Sequence, residues 1–126
     1  MRTRAGLEGD SWVIRGDKQF ITQGSTGGTY VIMASTDPSQ VTKGISAFIV
    51  PRETPGLAVG KLEKKLGVRA ADTAALHFDD MRVPKEKLLG RVNEGFKDVL
   101  AILAAARIGM AAMAIGIAQG ALDEAL

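Results

Sequence analysis

The amino-acid sequence predicts a mainly β protein, in which an antiparallel barrel-like or sandwich-like domain is followed by one long C-terminal α-helix. Two observations support this prediction. Short β-prone runs recur through residues 1–93 and are separated by turns that contain glycine or proline. Alanine and other helix-favouring residues then dominate residues 94–126, where no proline occurs. We therefore predict a β domain over 1–93 and a helical segment over 94–126.

The predicted strands each end at a turn signal. Trp12–Ile14 and Gln19–Thr22 flank the sequence RGDK, whose central Gly-Asp predicts a hairpin turn. Trp12 is expected in the core or in a cross-strand pair. In the last predicted strand, hydrophobic and polar residues alternate, which predicts one buried face and one solvated face that carries His77 and Asp79. The other predicted strands are 30–36, 45–50, 57–59 and 75–79.

Residues 96–126 predict a single helix about 45 Å long. Its apolar side chains surround the helix axis, and such a helix has to be covered on all sides. We infer that another chain, or a part of the protein outside this sequence, supplies the cover. Arg107 lies in the middle of the run and costs roughly 2.5 to 3.5 kcal/mol in a bilayer, so we predict no membrane insertion. The apolar residues are Val99, Leu100, Ile102, Leu103, Ile108, Met110, Met113, Ile115 and Ile117.

The composition excludes several classes of site. The chain has no cysteine and one histidine, so disulfides, thiolate metal sites and histidine clusters are excluded and no metal is expected. A net charge of +2 is too weak a field to indicate nucleic-acid binding. No apolar leader follows the basic start of the sequence, and a cytoplasmic location is the expectation.

Six segments, in order along the chain, resemble the acyl-CoA dehydrogenase family. Residues 9–22 (GDSWVIRGDKQFIT) resemble its D-x-W…G-x-K-x-[WF]-I-T stretch, and residues 64–73 (KKLGVRAADT) resemble K-x-G-x-R-x-S-x-T. The remaining similar segments are 46–50, 54–56, 78–84 with 89–90 and 94–96, and Arg107 with 116–122. The resemblance implies the middle β domain of such an enzyme, followed by the first helix of its C-terminal helical bundle.

The resemblance also implies a function and a truncation. The family oxidises an acyl-CoA thioester to its 2-enoyl form, passes the hydride to FAD and the electrons to an electron-transfer flavoprotein, and oligomerises through the C-terminal bundle. The segment that carries the family's catalytic glutamate has no counterpart here. The chain is therefore expected to be a fragment that holds no catalytic residue, is inactive alone and forms homo-oligomers through its helix. An acyl-CoA oxidase fragment and a non-enzymatic interaction module with a partner-docking helix are the alternatives.

Five residues are site candidates through this resemblance. Phe20, Ile21 and Thr22 match the W-I-T stretch that contacts the flavin, with phenylalanine in place of tryptophan. Arg107 and Ala104 match positions at the acyl-CoA site, although the family's F-D-x-T pattern reads LAAA here and weakens the contact at Ala104. Without the resemblance, Phe20 and Thr22 are ordinary strand residues, and Arg107 is exposed or ion-paired.

Three further patterns have simpler interpretations. The GSTGG sequence at 24–28 precedes a strand and not a helix, so it predicts a loop and not a phosphate site. His77 and Asp79 are expected to be solvated. The basic residues of the 61–69 segment are also expected to be solvated, with contact to coenzyme A phosphates as the alternative: Lys61, Lys64, Lys65 and Arg69.

Overall fold

The computed structural model describes all residues from 1 to 126. It contains seven strands and one α-helix, α1, which spans Gly95–Ala125. Short 3-10 turns lie at Pro38–Gln40 and Lys85–Lys87. The strands are β1 Arg4–Glu8, β2 Ser11–Thr22, β3 Thr29–Ser35, β4 Ile45–Pro51, β5 Leu57–Leu62, β6 Thr73–Pro84 and β7 Leu88–Leu89.

All seven strands belong to one sheet in the order β5-β6-β2-β1-β3-β4-β7. Neighbouring strands are antiparallel except β1 and β3, which run parallel and meet at Arg4 and Ser35. The prediction of a mainly β domain followed by a long helix is confirmed. The sheet is mixed and not purely antiparallel, because β1, which was not predicted, lies between β2 and β3.

The turn predicted at Arg15–Lys18 is wrong, because β2 continues through it. β6 pairs with both halves of β2, and two register irregularities absorb the break in pattern, one between Ile14 and Gly16 and one between Lys18 and Ile21. Gly16 has a φ of 124°, and a Cβ added there would lie 2.9 Å from the Cα of Thr3. The glycine therefore serves a close backbone approach, not a hairpin turn.

One apolar cluster fills the inner side of the sheet. Trp12 is 7% exposed and packs edge-to-face on Phe48, with ring centroids 5.4 Å apart, so the prediction of a core tryptophan is confirmed. The predicted alternation of β6 is also confirmed, because His77 and Asp79 are exposed. The cluster contains Ala5, Trp12, Ile14, Tyr30, Ile32, Ala34, Phe48, Val50, Leu76, Phe78, Met81 and Val83.

A polar cluster holds the segment before α1 against β4. The Thr36 hydroxyl donates to Asn93 Oδ1 at 2.6 Å, and the Asn93 amide donates to Ser46 Oγ at 2.8 Å. Gly95 follows, and a Cβ there would lie 2.7 Å from the amide nitrogen of Ala47. The first residue of α1 is thus buried against the sheet, where only glycine fits.

The chain divides into two compact units, Met1–Phe96 and Lys97–Leu126. The second unit consists of α1 residues and Leu126, and most of its large apolar side chains are exposed. By length and composition α1 could cross a membrane, with a mean hydropathy of 2.0, although a core helix of a soluble protein meets the same criteria. The absence of membrane insertion stays a prediction, as does the assignment of 94–126 to a helical bundle.

Candidate functional site

The end of β2 carries a strained, exposed aromatic residue. At the irregularity between Lys18 and Ile21, Phe20 takes a left-handed φ of 56° and its side chain is 71% exposed. A non-glycine residue in this region costs on the order of 1–3 kcal/mol, and such strain concentrates at functional sites. A bulge also re-aims side chains next to a site. Phe20 therefore marks the end of β2 as a candidate binding surface.

An open groove of about 340 Å³ lies beside this bulge, between the ends of β2 and β3. Thr22 lines it with an exposed hydroxyl, which can donate and accept a hydrogen bond. The walls are largely apolar, and no carboxylate lines them. The lining residues are Lys18, Ile21, Thr22, Thr29, Tyr30, Val31, Ile32 and Met33.

Lys18 is the one charged residue that lines this groove. Its ammonium is half-buried, and burial lowers the pKa of Lys18. Its Nζ contacts Met1 Sδ at 3.6 Å. A partly desolvated cation that contacts a thioether favours a ligand with negative charge. The groove thus offers apolar walls, two threonine hydroxyls (Thr22 and Thr29) and one cation, while the Tyr30 hydroxyl donates to the Gly24 carbonyl oxygen. This set suits a flat aromatic ring with an electron-rich edge.

The loop that follows Thr22 is fixed by long-range hydrogen bonds. The Ser25 amide donates to Asp72 Oδ2 at 2.8 Å, and the Thr26 hydroxyl donates to Asp72 Oδ1 at 2.7 Å. These two bonds, led by the one from the Ser25 amide, lower the pKa of Asp72. The GSTGG segment is a loop that leads into β3, as predicted.

The other candidates are not among the residues that line the groove. Ala104 and Arg107 are both exposed on α1, three residues apart and therefore on one side of the helix. Their assignment to a substrate site stays a prediction. His77 pairs with Asp17, and not with Asp79.

The basic residues of the 61–69 segment differ from one another. Lys61 pairs with Glu63 at 3.1 Å, and Lys64 and Arg69 are exposed. Lys65 is half-buried and donates to the carbonyl oxygens of Val68, at 2.8 Å, and of Ala71. Lys65 therefore holds its own loop, which a solvated lysine would not do.

Sequence reasoning missed two residues of this site. Lys18 belongs to the G-x-K-x-[WF]-I-T pattern, but its burial depends on β3 and on the N-terminal residues. Asp72 reaches a loop 47 residues earlier in the chain. The Asp-Thr pair at the start of β6 is a local signal for a capping carboxylate, but its partner could not be identified without the fold.

Comparisons with known proteins agree with one another. The family model described as "Acyl-CoA dehydrogenase, middle domain" matches residues 1–81. The chain is 53% identical over 124 residues to the mitochondrial short-chain specific acyl-CoA dehydrogenase of Rattus norvegicus, which covers 98% of the chain and 30% of that relative. It is 50% identical to the short-chain specific acyl-CoA dehydrogenase of Clostridium acetobutylicum, over 98% of the chain and 33% of that relative.

Solved structures share the fold. Butyryl-CoA dehydrogenase from Megasphaera elsdenii superposes with a TM-score of 0.90 at 41% identity, covering 94% of the chain and 31% of that protein. A chain in the structure named "Electron transferring flavoprotein of Acidaminococcus fermentans: Towards a mechanism of flavin-based electron bifurcation" superposes with a TM-score of 0.92 at 50% identity, over 97% and 32%. The chain thus spans about a third of the length of the relatives that it matches.

Proposed function

Because this chain belongs to the acyl-CoA dehydrogenase family, we propose that it supplies the flavin-facing part of a short-chain acyl-CoA dehydrogenase. The observation that carries the proposal is the groove at the end of β2, where Thr22 and the bulge at Phe20 coincide with the family's W-I-T stretch. Family membership also argues against the alternative of an unrelated interaction module.

The groove fits a flavin by the chemistry of its donors. When bound, FAD would supply a hydride acceptor for oxidation of the acyl chain. The Thr22 hydroxyl would donate to the polar edge of the ring, and Ile21 with Val31 would form an apolar wall. The exposed ring of Phe20 is available to cover an aromatic face. The Lys18 ammonium would stabilise negative charge that develops on a reduced ring.

The proton acceptor has to come from outside the groove. Oxidation of an acyl-CoA to its 2-enoyl form removes one proton and one hydride, and the proton needs a general base. The groove lining contains no carboxylate and no histidine. That the 126-residue chain holds no catalytic base and is inactive alone stays a prediction.

Replacing Thr22 with alanine tests the flavin contact. We expect the purified chain to quench the fluorescence of added FAD, and Thr22→Ala to weaken the affinity about 3- to 10-fold, since one hydrogen bond contributes roughly 0.5–1.5 kcal/mol. Thr42→Ala is the matched control, because Thr42 is an exposed threonine beyond the opposite end of β3. An unquenched wild-type titration, or equal affinities for the two variants, would contradict the proposal.

The proposals for the substrate and the electron acceptor rest on the comparisons with relatives. Relatives at 50–53% identity are named short-chain acyl-CoA dehydrogenases, whereas an oxidase, "Prolyl Acyl Carrier Protein Oxidase AnaB", matches at 30% identity. These identities favour a dehydrogenase over an oxidase, with a short acyl-CoA as the substrate. We propose an electron-transfer flavoprotein as the acceptor and Arg107 and Ala104 on α1 as substrate contacts. The cytoplasmic location stays a prediction.

We also propose that α1 associates with a second copy of the chain. Ile108 and Ile115 are seven residues apart and therefore share one side of α1, and they are 75% and 70% exposed. In sedimentation velocity, we expect the wild-type chain to associate as its concentration rises. The double variant Ile108→Glu/Ile115→Glu should stay monomeric, because the association would have to bury two carboxylates. A wild-type chain that stays monomeric at every accessible concentration would refute this proposal.

A further inference from the structure

Asp72 accepts hydrogen bonds from three residues of the loop that follows Thr22. Its carbonyl oxygen accepts from the Gln23 amide at 2.9 Å, and its carboxylate accepts from Ser25 and Thr26 as described above. Thr22 itself pairs with Thr73, the residue after Asp72. We propose that Asp72 is a positioning residue, whose carboxylate fixes the direction in which the loop leaves β2 and so holds the Thr22 hydroxyl at the groove.

The carboxylate of Asp72 satisfies two donors at once. The Ser25 amide and the Thr26 hydroxyl approach its two oxygens, and an ionised carboxylate accepts at both oxygens. An asparagine at this position could still accept from the Ser25 amide and donate its NH₂ group to the Thr26 hydroxyl, which also accepts. Asp72→Ala is therefore the informative variant, because it removes both bonds.

The rest of the loop leaves it little freedom to compensate. The Tyr30 hydroxyl donates to the Gly24 carbonyl oxygen at 2.9 Å, and Arg52 donates to the Ser25 carbonyl oxygen. A Cβ at Gly24 would lie 2.9 Å from the Ile21 carbonyl oxygen, so this turn is closely packed against β2. A change at Asp72 is therefore passed to the end of β2, where Thr22 lies.

The two hydrogen bonds to the Asp72 carboxylate depend on pH in a defined direction. The bonds from Ser25 and Thr26 hold the pKa of Asp72 below its ordinary value of 3.8. A carboxyl whose pKa is lower in the folded state stabilises that state above the unfolded pKa, and the contribution is lost as the pH falls through the folded pKa. The two hydrogen bonds to the Asp72 carboxylate are thus complete at neutral pH and weaken as the pH falls through the lowered pKa of Asp72 in the folded state. The charged neighbours of Asp72 are Arg52, which contacts the same loop, and Glu63, Lys64, Lys65 and Arg69, which line an adjoining concavity.

Nuclear magnetic resonance of the labelled 126-residue chain tests this role directly. In the wild type, we expect the Ser25 amide shift and the Thr22 methyl shift to titrate together, with a midpoint below pH 3.8. In Asp72→Ala, both titrations should disappear, the Ser25 amide should exchange at least about 10-fold faster, and the Thr22 methyl group should become more mobile. Asp79→Ala is the matched control, because Asp79 is an exposed carboxylate on the adjoining β6.

Two outcomes would overturn the positioning role. One is an Asp72→Ala variant in which Ser25 exchange and Thr22 mobility equal those of Asp79→Ala. The other is a wild type in which neither signal titrates. The wild-type titration needs no variant, and Thr26→Ala removes only the bond to Oδ1, so the test survives if Asp72→Ala fails to fold. Thr26→Ala should show a smaller increase in exchange at Ser25.

The importance of Asp72 for ligand binding rests on the proposed flavin contact of Thr22. The positioning role of Asp72 and the flavin contact of Thr22 can fail separately. FAD titration of the same samples should show Asp72→Ala weakening the affinity about as much as Thr22→Ala. A wild type that does not bind FAD removes the proposed function, while the resonance data alone still decide the positioning of Thr22. A Thr22 that becomes mobile in Asp72→Ala while FAD affinity is unchanged would support the positioning by Asp72 and contradict the flavin contact of Thr22.

Discussion

Replacing Phe48 with alanine is expected to lower the free energy of unfolding by about 3–5 kcal/mol. Phe48 is fully buried in β4 and packs edge-to-face on Trp12, so the substitution removes apolar burial and leaves a cavity beside an indole. It pairs with Ile32 on one side and Leu88 on the other, so the cavity would open between three strands. Single domains have a net stability of roughly 5–15 kcal/mol, and this loss is a large share of it.

Urea denaturation followed by tryptophan fluorescence measures this loss, because Trp12 is the one tryptophan and contacts the substituted ring. Val31→Ala is the control: Val31 lies on the same sheet in β3 but is 58% exposed, and its truncation should cost less than about 1 kcal/mol. Equal midpoints for the two variants would show that the Trp12–Phe48 contact is not central to the core.

Local patterns were sufficient for most of the fold. The alternation at Leu76–Asp79 depends only on the two-residue period of a strand, and it holds in β6. The long proline-free run after Gly95 is a helix in the structure because nothing in it interrupts backbone hydrogen bonding. These features need no partner to be recognised.

The errors arose where a distant residue decides the conformation. Gly16 has the local signature of a turn, but it lies in a strand because Thr3 approaches its backbone. β1 was missed because Arg4–Glu8 begins and ends with a charged residue and has a glycine at its centre. Its pairing with β2 depends on a tight turn at Gly9. Whether these residues form a strand or a turn depends on contacts that form only when the sheet assembles.

The candidate site divides in the same way. Phe20, Ile21 and Thr22 could be selected from their resemblance to a family stretch. The left-handed conformation of Phe20 and the half-burial of Lys18 could not, because both depend on how β2 pairs with β6 and lies beside β3. Asp72 accepts a hydrogen bond from a residue 47 positions earlier in the chain. No local sequence pattern can predict a contact over that separation.

Replacing Gly44 with alanine is expected to destabilise the β domain by about 3 kcal/mol through overpacking. A Cβ at this position would overlap the Asp37 carbonyl oxygen and lie 2.8 Å from its carbonyl carbon. The backbone cannot shift freely to relieve the clash, because the Gly44 carbonyl oxygen accepts from the Thr36 amide at 2.8 Å and from the Asp37 amide at 3.0 Å. Relief of the clash would therefore cost these two hydrogen bonds.

Thermal unfolding of Gly44→Ala and Gly28→Ala provides the comparison. A Cβ at Gly28 meets nothing within 4 Å, so that variant should stay within about 0.5 kcal/mol of the wild type. For a domain of this size, a loss of 3 kcal/mol lowers Tm by on the order of 10–20 °C. Because Thr36 also donates to Asn93 just before α1, the Gly44 variant should lose amide protection at Asn93 before the rest of the sheet unfolds. Equal Tm values for the two variants would mean that the turn before β4 relaxes without cost.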